Sequence, residues 1–397
     1  MSDPRYDQGP PPSGTSWFYD PKVRAVAFQI LVVAVVFAIG YEVVMNAKAN
    51  LQRQNIASGF GFLSNRAGFD ISQTLIAYTT DSTYGRAFLV GLLNTLLVAA
   101  LGIVCATILG FLVGIGRLSH NWLVRTAATS FVELVRNVPL LLQLFFWYFA
   151  VVKTLPQPRQ SIELVYDVFI NNRGLYAPRP IWEAGSDFVG IALVIGVIAT
   201  FVMRSWAAKR QATTGQQFPV GWGTLGLVIG LPLVVFFATG MPISFEPPVL
   251  KGFNFQGGVA VLPEFVALLL GLSIYTSSFI AEIVRAGILA VPKGQTEAAS
   301  ALGLPRDRTL RLVIIPQAMR VIIPPLTSQY LNLTKNSSLA VAIGYPDLVS
   351  VFAGTVLNQT NQAVEVIVIT MLVYLTISLL TAAFMNWFNA RVALVER

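Results

Sequence analysis

The sequence predicts an all-α membrane protein with about eight transmembrane helices. Hydrophobic residues make up 55% of the 397 residues and charged residues 12%, against about 25% charged residues in an average soluble domain. Apolar runs long enough to cross a bilayer recur along the whole chain. The basic residues sit in the short stretches between those runs, where they set orientation and give no sign of nucleic-acid binding.

Eight spans follow from these runs, with the lipid bilayer as their surroundings. They cover residues 23–45, 87–116, 126–152, 188–203, 222–240, 261–283, 325–345 and 363–388. A short basic loop joins the fourth and fifth spans, which therefore form a hairpin across the membrane. The first span is long enough to cross and has no small-residue cleavage site close behind it, so we expect it to be retained.

The distribution of Lys and Arg predicts which end of each span faces the cytoplasm. One side of the membrane carries 16 of these residues in its loops and tails, and the other side carries nine. The more basic side holds both termini and the loop at 284–324, so we expect all three in the cytoplasm. Residues 1–22, rich in Pro, Gly and Ser, predict a disordered cytoplasmic tail, and 391–397 form a second, short tail.

A polar island at Glu297–Pro316, EAASALGLPRDRTLRLVIIP, separates two hydrophobic segments. Pro292 suits the first position of a helix, and Gly303 suits the residue just past its end. Pro305 would open a second short helix, which Pro316 would stop or bend. The pattern therefore predicts two short helices joined at a glycine corner.

The first of these helices has the features of a docking surface. Ala298 and Ala299 are small enough to let a partner approach closely, and Glu297 offers a charge for pairing. At the end of the sixth span, Glu282 and Arg285 stand three residues apart on one helical face. We interpret that pair as a structural strut leading into the loop.

Polar residues form a stripe on the seventh span. Ser328, Asn332 and Lys335 recur at spacings of four and three, with Gln329 and Asn336 beside them. Lipid would not tolerate that stripe, and a charge at the centre of a span costs roughly 2.5–3.5 kcal/mol on insertion scales. The stripe must face an aqueous pathway or a neighbouring helix, and both interpretations stay open.

The third span carries a second polar group, Glu133, Arg136 and Asn137, on one face. An ion pair between Glu133 and Arg136 would lower the cost of inserting the charges. Pro139 leaves a backbone carbonyl free one turn earlier, which a cavity or a polar neighbour must satisfy. A structural pair and a substrate contact are equally compatible with this pattern.

The polar island resembles a known motif. Glu297, Ala298, Ala299, Gly303 and Pro316 stand at the spacing of the EAA loop in ABC importer membrane subunits, together with Val313 and Ile315. In that family the loop is a coupling helix that docks in a groove of a separate ATPase subunit. The runs at 132–148, 275–303 and 314–344 resemble the polar amino-acid branch of these permeases.

More narrowly, AGFD at 67–70 and TYGRAFLVGLLNT at 83–95 resemble the longer membrane subunit of general L-amino-acid importers of Gram-negative bacteria. The resemblance implies a type I importer core of five helices, extended by an N-terminal span and an inserted hairpin. The N-terminal span and a periplasmic segment would occupy 23–86. The two parts of the permease core would lie at 87–152 and 261–390, with the insert at 153–260 between them.

The resemblance also implies the function. The chain would be the transmembrane subunit of an ATP-driven, binding-protein-dependent importer that moves L-amino acids into the cytoplasm by alternating access, in a bacterial inner membrane. Its partners would be two ATPase subunits, a second related permease and a periplasmic amino-acid-binding protein. The sequence contains no GxxxxGK(S/T) phosphate loop, so ATP and Mg belong on the partner ATPase and this chain needs no cofactor.

Two other classes remain for comparison. A secondary transporter driven by an ion gradient predicts inverted repeats, which the sequence does not display. A membrane enzyme or a metal site needs converging side chains, and the single cysteine Cys105 and single histidine His120 do not supply them. We therefore expect a transport subunit with no catalytic residue and no metal ligand.

Overall fold

The computed structural model describes residues 21–53 and 59–392. Within these residues, seven helices are long and apolar enough to cross a membrane, and a bent helix pair brings the number to eight, which confirms the predicted fold class. Most of the predicted tails, 1–20 and 393–397, lie outside the described residues. The helices are α1 (Pro21–Arg53), α2 (Tyr84–Gly116), α3 (Trp122–Asn137), α4 (Leu140–Phe145), α5 (Ser186–Thr214), α6 (Val220–Leu225), α7 (Leu231–Ala238), α8 (Pro263–Leu289), α9 (Lys293–Ala301), α10 (Arg306–Thr309), α11 (Ile315–Asn336), α12 (Leu357–Thr360) and α13 (Ala363–Val392).

Shorter helical turns extend several of these helices. Four are π-helical, Phe146–Val152 after α4, Gly226–Gly230 after α6, Leu310–Ile314 after α10 and Val349–Val356 before α12. Three are 3₁₀ turns, Phe60–Ser64, Pro158–Gln160 and Ser337–Ile343. The 3₁₀ turn at Phe60–Ser64 belongs to a cap before α2, in which Phe62 is buried against Tyr84 and Phe352.

The predicted third span is not one straight helix. The chain bends by 107° between α3 and the continuation of α4. Val138 adopts an extended conformation, as the residue before a proline favours, and Pro139 then caps the start of α4. The predicted third span at 126–152 therefore corresponds to a bent pair of helices, because the proline ends one helix and begins another.

The seventh span also differs from its prediction. Helix α10, the π-helical turn at Leu310–Ile314 and α11 form one continuous helical run, so the span begins well before residue 325. Pro316 stands in the first turn of α11 and does not stop the helix. A proline removes one backbone hydrogen bond from a helix, and the π-helical turn just before Pro316 accommodates that loss.

The core forms where α2, α8, α11 and α13 pack together. Helices α2 and α8 cross so closely that a Cβ on Gly110 would lie 2.6 Å from the Ile280 side chain, and one on Gly114 would lie 2.8 Å from the Ala281 carbonyl oxygen. Small residues let membrane helices approach in this way. Helix α11 packs against both helices, with Ile322 against Gly287 of α8 and Leu333 against Gly102 of α2.

The insert at 153–260 contains strands that the sequence did not predict. They are β1 (Ile162–Val165), β2 (Val168–Asn171), β3 (Gly174–Ala177), β4 (Arg179–Trp182), β5 (Ile243–Glu246), β6 (Val249–Lys251), β7 (Asn254–Gln256) and β8 (Val259–Val261). The sheet order is β1-β2-β3-β8, with β4–β5 and β6–β7 as separate antiparallel ribbons. Because β3 pairs with β8 and β4 with β5, the strands close the insert around the hairpin of α5, α6 and α7.

Candidate functional site

Helix α9 forms the first half of the polar island. Pro292 precedes the helix as its cap rather than occupying the first helical position as predicted. The glycine corner forms at Gly303, whose φ is +73°, a left-handed conformation that favours glycine. The amide of Gly303 donates to the Ser300 carbonyl at 2.9 Å, and the amide of Leu304 donates to the Ala299 carbonyl at 3.1 Å. These bonds close the helix end and turn the chain sharply towards α10.

The helix presents one open face. Glu297, Ala298 and Gly303 are exposed. Ala299 is only 3% exposed, because it packs inward. It therefore belongs to the packed inner side of the helix and not to the open face. Leu302, the residue at the end of α9, is 81% exposed and adds an apolar side chain to this face. Sequence reasoning missed Leu302, although its place between Ala301 and Gly303 at the corner was a usable signal.

Pro316, the last candidate of the polar island, stands apart from this face. It is exposed in the first turn of α11. Two contacts tie the island to its surroundings. Gln317 donates from Nε2 to Oε1 of Gln295 at 3.2 Å, which joins α11 to α9. Arg306 Nη2 lies 3.3 Å from His120 Nε2 in the loop between α2 and α3.

A three-residue charge cluster joins the loop to the core. Glu282 accepts hydrogen bonds from Arg285 Nη2 at 2.6 Å and from Arg117 Nη1 at the end of α2. The Arg117 side chain is only 9% exposed, so this charge depends on its carboxylate partner. Sequence reasoning paired Glu282 with Arg285 and missed Arg117, which stands 165 residues away in the chain.

The polar stripe of the seventh span lies on one open face of α11. Ser328, Asn332 and Lys335 are exposed, and Gln329 and Asn336 are half-buried. In the part of the chain that the structure describes, no carboxylate lies within ion-pairing distance of the Lys335 ammonium. This chain therefore leaves the stripe uncovered, which a spanning helix tolerates only beside water or another subunit.

The group on the third span is arranged differently from the expected ion pair. Glu133, Arg136 and Asn137 are exposed, and the Asn137 amide donates to the Glu133 carbonyl at 2.7 Å. The Arg136 guanidinium lies 5.1 Å from the centre of the Phe279 ring of α8. The expected Glu133–Arg136 ion pair does not form, because the guanidinium stacks on an aromatic face instead.

The carbonyls freed around Pro139 are satisfied as predicted by a polar neighbour. The Gln143 amide donates from Nε2 to the carbonyl of Val135 at 2.8 Å and to that of Val138 at 2.9 Å. Gln143 is buried, so this bond fixes the bend between α3 and α4. The groups on α3 and α11 remain on separate helices that both pack against α8.

Comparison with known proteins identifies relatives along the whole chain. A family profile described as binding-protein-dependent transport system inner membrane component matches residues 106–394. The general L-amino acid transport system permease protein AapQ of Rhizobium johnstonii is 57% identical over 98% of both chains. The putative amino-acid ABC transporter permease protein YhdX of Escherichia coli is 54% identical over 97% of this chain and 98% of its own.

A third relative is more distant and also aligns over nearly its whole length. The glutamate/glutamine/aspartate/asparagine transport system permease protein BztB of Rhodobacter capsulatus is 39% identical over 98% of this chain and 99% of its own. Because each alignment covers nearly the whole chain, it includes the first span and the insert as well as the profile region.

Proposed function

The chain belongs to the family of binding-protein-dependent transport system inner membrane components, and we propose from that premise that it is the transmembrane subunit of an ATP-driven importer of L-amino acids. The names of its long relatives support that substrate class. It is a transport subunit that works by alternating access, and the family does not favour a secondary transporter driven by an ion gradient.

The proposed assembly contains subunits that this chain needs to work. Two ATPase subunits would bind ATP and Mg, since the sequence has no phosphate loop of its own. A second, related permease and a periplasmic amino-acid-binding protein would complete the importer in the inner membrane. The distribution of Lys and Arg supports cytoplasmic termini and a cytoplasmic 284–324 loop.

The open face of α9 is the surface that we propose contacts the ATPase subunit. Glu297, Ala298, Leu302 and Gly303 offer a charge, two small surfaces and one exposed apolar side chain on a helix whose inner side is packed. Movement of α9 would reach the core through the Gln295–Gln317 bond and through the neighbouring charge cluster of Arg117, Glu282 and Arg285. We assign the role of coupling to this surface, together with Ala299, which packs inward beneath it, and Pro316 in the first turn of α11.

We assign the substrate pathway to the two open polar groups. The stripe of α11 and the group of α3 are exposed in this chain although each lies in a segment that the bilayer would surround. Water or substrate beside these side chains would remove the cost of placing them in lipid. The residues are Ser328, Gln329, Asn332, Lys335 and Asn336 on α11, and Glu133, Arg136 and Asn137 on α3.

The test of coupling is a charge reversal at the open face. Glu297→Lys combined with Gly303→Pro reverses the charge and places proline where φ is positive, so substrate-stimulated ATP hydrolysis by the purified importer should be lost. Glu163→Lys on exposed β1 is the matched control and should hydrolyse ATP normally. Normal stimulated hydrolysis by the Glu297→Lys/Gly303→Pro complex would refute the coupling assignment.

A further inference from the structure

A groove of about 410 Å³ opens beside Lys335, between α13 and the turns that follow α11. Its volume lies within the roughly 300–1,000 Å³ of small-molecule sites. We propose that this groove binds the zwitterionic part of an L-amino acid, with the carboxylate against Lys335 and the ammonium against hydroxyl oxygens of α13. The inference rests on the proposed import function and names the part of the substrate that this chain recognises.

One face of α13 lines the groove with three residues that carry hydroxyl groups. Thr370, Tyr374 and Ser378 stand four residues apart, which places them on one side of the helix. The rest of that stretch, ITMLVYLTISLL, is largely apolar. The packing of α13 turns this face towards Lys335, which the sequence alone did not indicate.

The Lys335 ammonium is the positive end of the groove. Of the described residues that line it, Lys335 alone is charged, and no carboxylate of the described chain pairs with it. A lone cation in a membrane-spanning segment is costly and is stabilised by an anion. A carboxylate entering the groove would supply that anion, with a charge-assisted hydrogen bond.

The hydroxyl groups form an accepting side. Thr370 donates from Oγ1 to the Val366 carbonyl at 2.8 Å, and Ser338 donates from Oγ to the Lys335 carbonyl at 2.7 Å. The Tyr374 hydroxyl is directed to Asp347 Oδ2 at 3.5 Å. Because the hydroxyl hydrogens of Thr370 and Ser338 are engaged with backbone carbonyls, their oxygens keep lone pairs for a donor such as an ammonium, whereas the Tyr374 hydroxyl is directed towards the buried Asp347.

The remaining lining is apolar and selects little. Met371 and Leu375 of α13 and Val349 of the π-helical turn complete the groove. Methionine adapts to side chains of different shape, so the main-chain zwitterion and not the side chain would determine binding.

The test measures binding to the intact membrane complex in nanodiscs, without the binding protein, by ligand-observed NMR. L-leucine should bind, while leucinamide, which lacks the carboxylate, and 4-methylpentanoate, which lacks the ammonium, should each bind about ten-fold more weakly. Lys335→Met should abolish the preference for L-leucine over leucinamide. Thr370→Val should weaken L-leucine binding about ten-fold and leave assembly intact.

Matched controls separate the groove from general effects. Lys251→Met removes an exposed cation from β6, and Thr376→Val removes a hydroxyl from α13 that lies outside the groove and bonds to Leu372. Both should bind L-leucine as the unmodified complex does. If the Lys335→Met complex does not assemble, L-leucine binding by the isosteric Thr370→Val variant tests the proposal instead. Normal L-leucine binding by that variant would overturn the proposal.

Other results also have a definite meaning. Equal binding of L-leucine and leucinamide, or a phospholipid that occupies the groove and depends on Lys335, would overturn the proposal. ATP-driven uptake of labelled L-leucine, L-glutamate and L-arginine by the unmodified importer in liposomes tests the proposed function separately. Uptake without L-leucine binding in the groove leaves import standing and removes this site, whereas no uptake of any L-amino acid removes the import function itself.

Discussion

In soluble proteins the more apolar helix is the more buried one. The core helix α8 and the outlying helix α1 show the opposite relation between hydropathy and burial. In α8 the most apolar window has a mean hydropathy of 1.7, and 56% of it is buried. In α1 the corresponding window has a mean hydropathy of 2.4, and none of it is buried. The less apolar helix is the buried one, because lipid covers apolar surfaces and leaves polar contacts to other helices.

The composition of the contact surfaces explains this difference. Helix α8 buries Ser273, Thr276, Ser277 and Ser278, and the hydroxyls of Ser277 and Ser278 donate to carbonyls of their own helix at 2.7 and 2.6 Å. Such small side chains let α2 approach closely. The inserted α5 and α7 instead pack on each other, and no residue of the most apolar stretch within 220–238 is buried. Hydropathy therefore locates a helix, while small and hydroxyl residues locate its contacts.

The largest expected effect comes from filling the crossing of α2 and α8. Gly110→Leu would place atoms within 2.6 Å of Ile280, so the helices must separate, at more than the roughly 1–3 kcal/mol of ordinary overpacking. Gly190→Leu on α5 is the matched control, with nothing within 4 Å of its Cβ. Thermal unfolding of the purified complex should fall sharply for Gly110→Leu alone. Equal unfolding temperatures would contradict the close core crossing.

A smaller loss should follow from breaking the charge cluster. Glu282→Gln leaves the Arg117 guanidinium buried without its carboxylate, at a cost of about 1.5–3 kcal/mol. Asp81→Asn breaks the Arg66–Asp81 pair, whose side chains are 65% and 77% exposed, and should cost less than about 1 kcal/mol. Denaturant unfolding of the two complexes measures the difference. Equal losses would mean that the cluster is screened by solvent like a surface pair.

Local signals allowed the sequence to predict part of this arrangement. Run length predicted the spans, and glycine chemistry predicted the left-handed corner at Gly303. Pro139 was noticed, but the 107° bend also depends on Gln143, whose amide satisfies the carbonyls that the proline leaves free. Pro316 does not stop the helix, because it follows a π-helical turn that has no simple sequence signal.

Contacts between distant residues account for the rest. Arg117 joins Glu282 from another helix, and no spacing within one segment could indicate that pair. The strands of the insert are three or four residues long, too short for an alternating pattern to be distinguished. Their pairing, such as β3 with β8, exists only because the hairpin brings the two halves of the insert together. The stripe on α11 was recognised from its spacing, whereas the hydroxyl face opposite it required the packing of α13.

Removal of the inserted hairpin deletes the most residues but should have the smallest effect on stability. Trp182 of β4 pairs with Ile243 of β5 across its base, so an Asn-Gly turn in place of residues 183–242 would close the ribbon as a two-residue β-hairpin. Because α5 and α7 pack on each other, the unfolding temperature of the core should hardly change. Phe62→Ala in the cap is the comparison, since Phe62 is 5% exposed and its truncation should cost about 3 kcal/mol. If deleting the hairpin destabilised the complex more than Phe62→Ala does, the hairpin would be part of the core. The low burial of its helices would then be a poor guide to their contribution to stability.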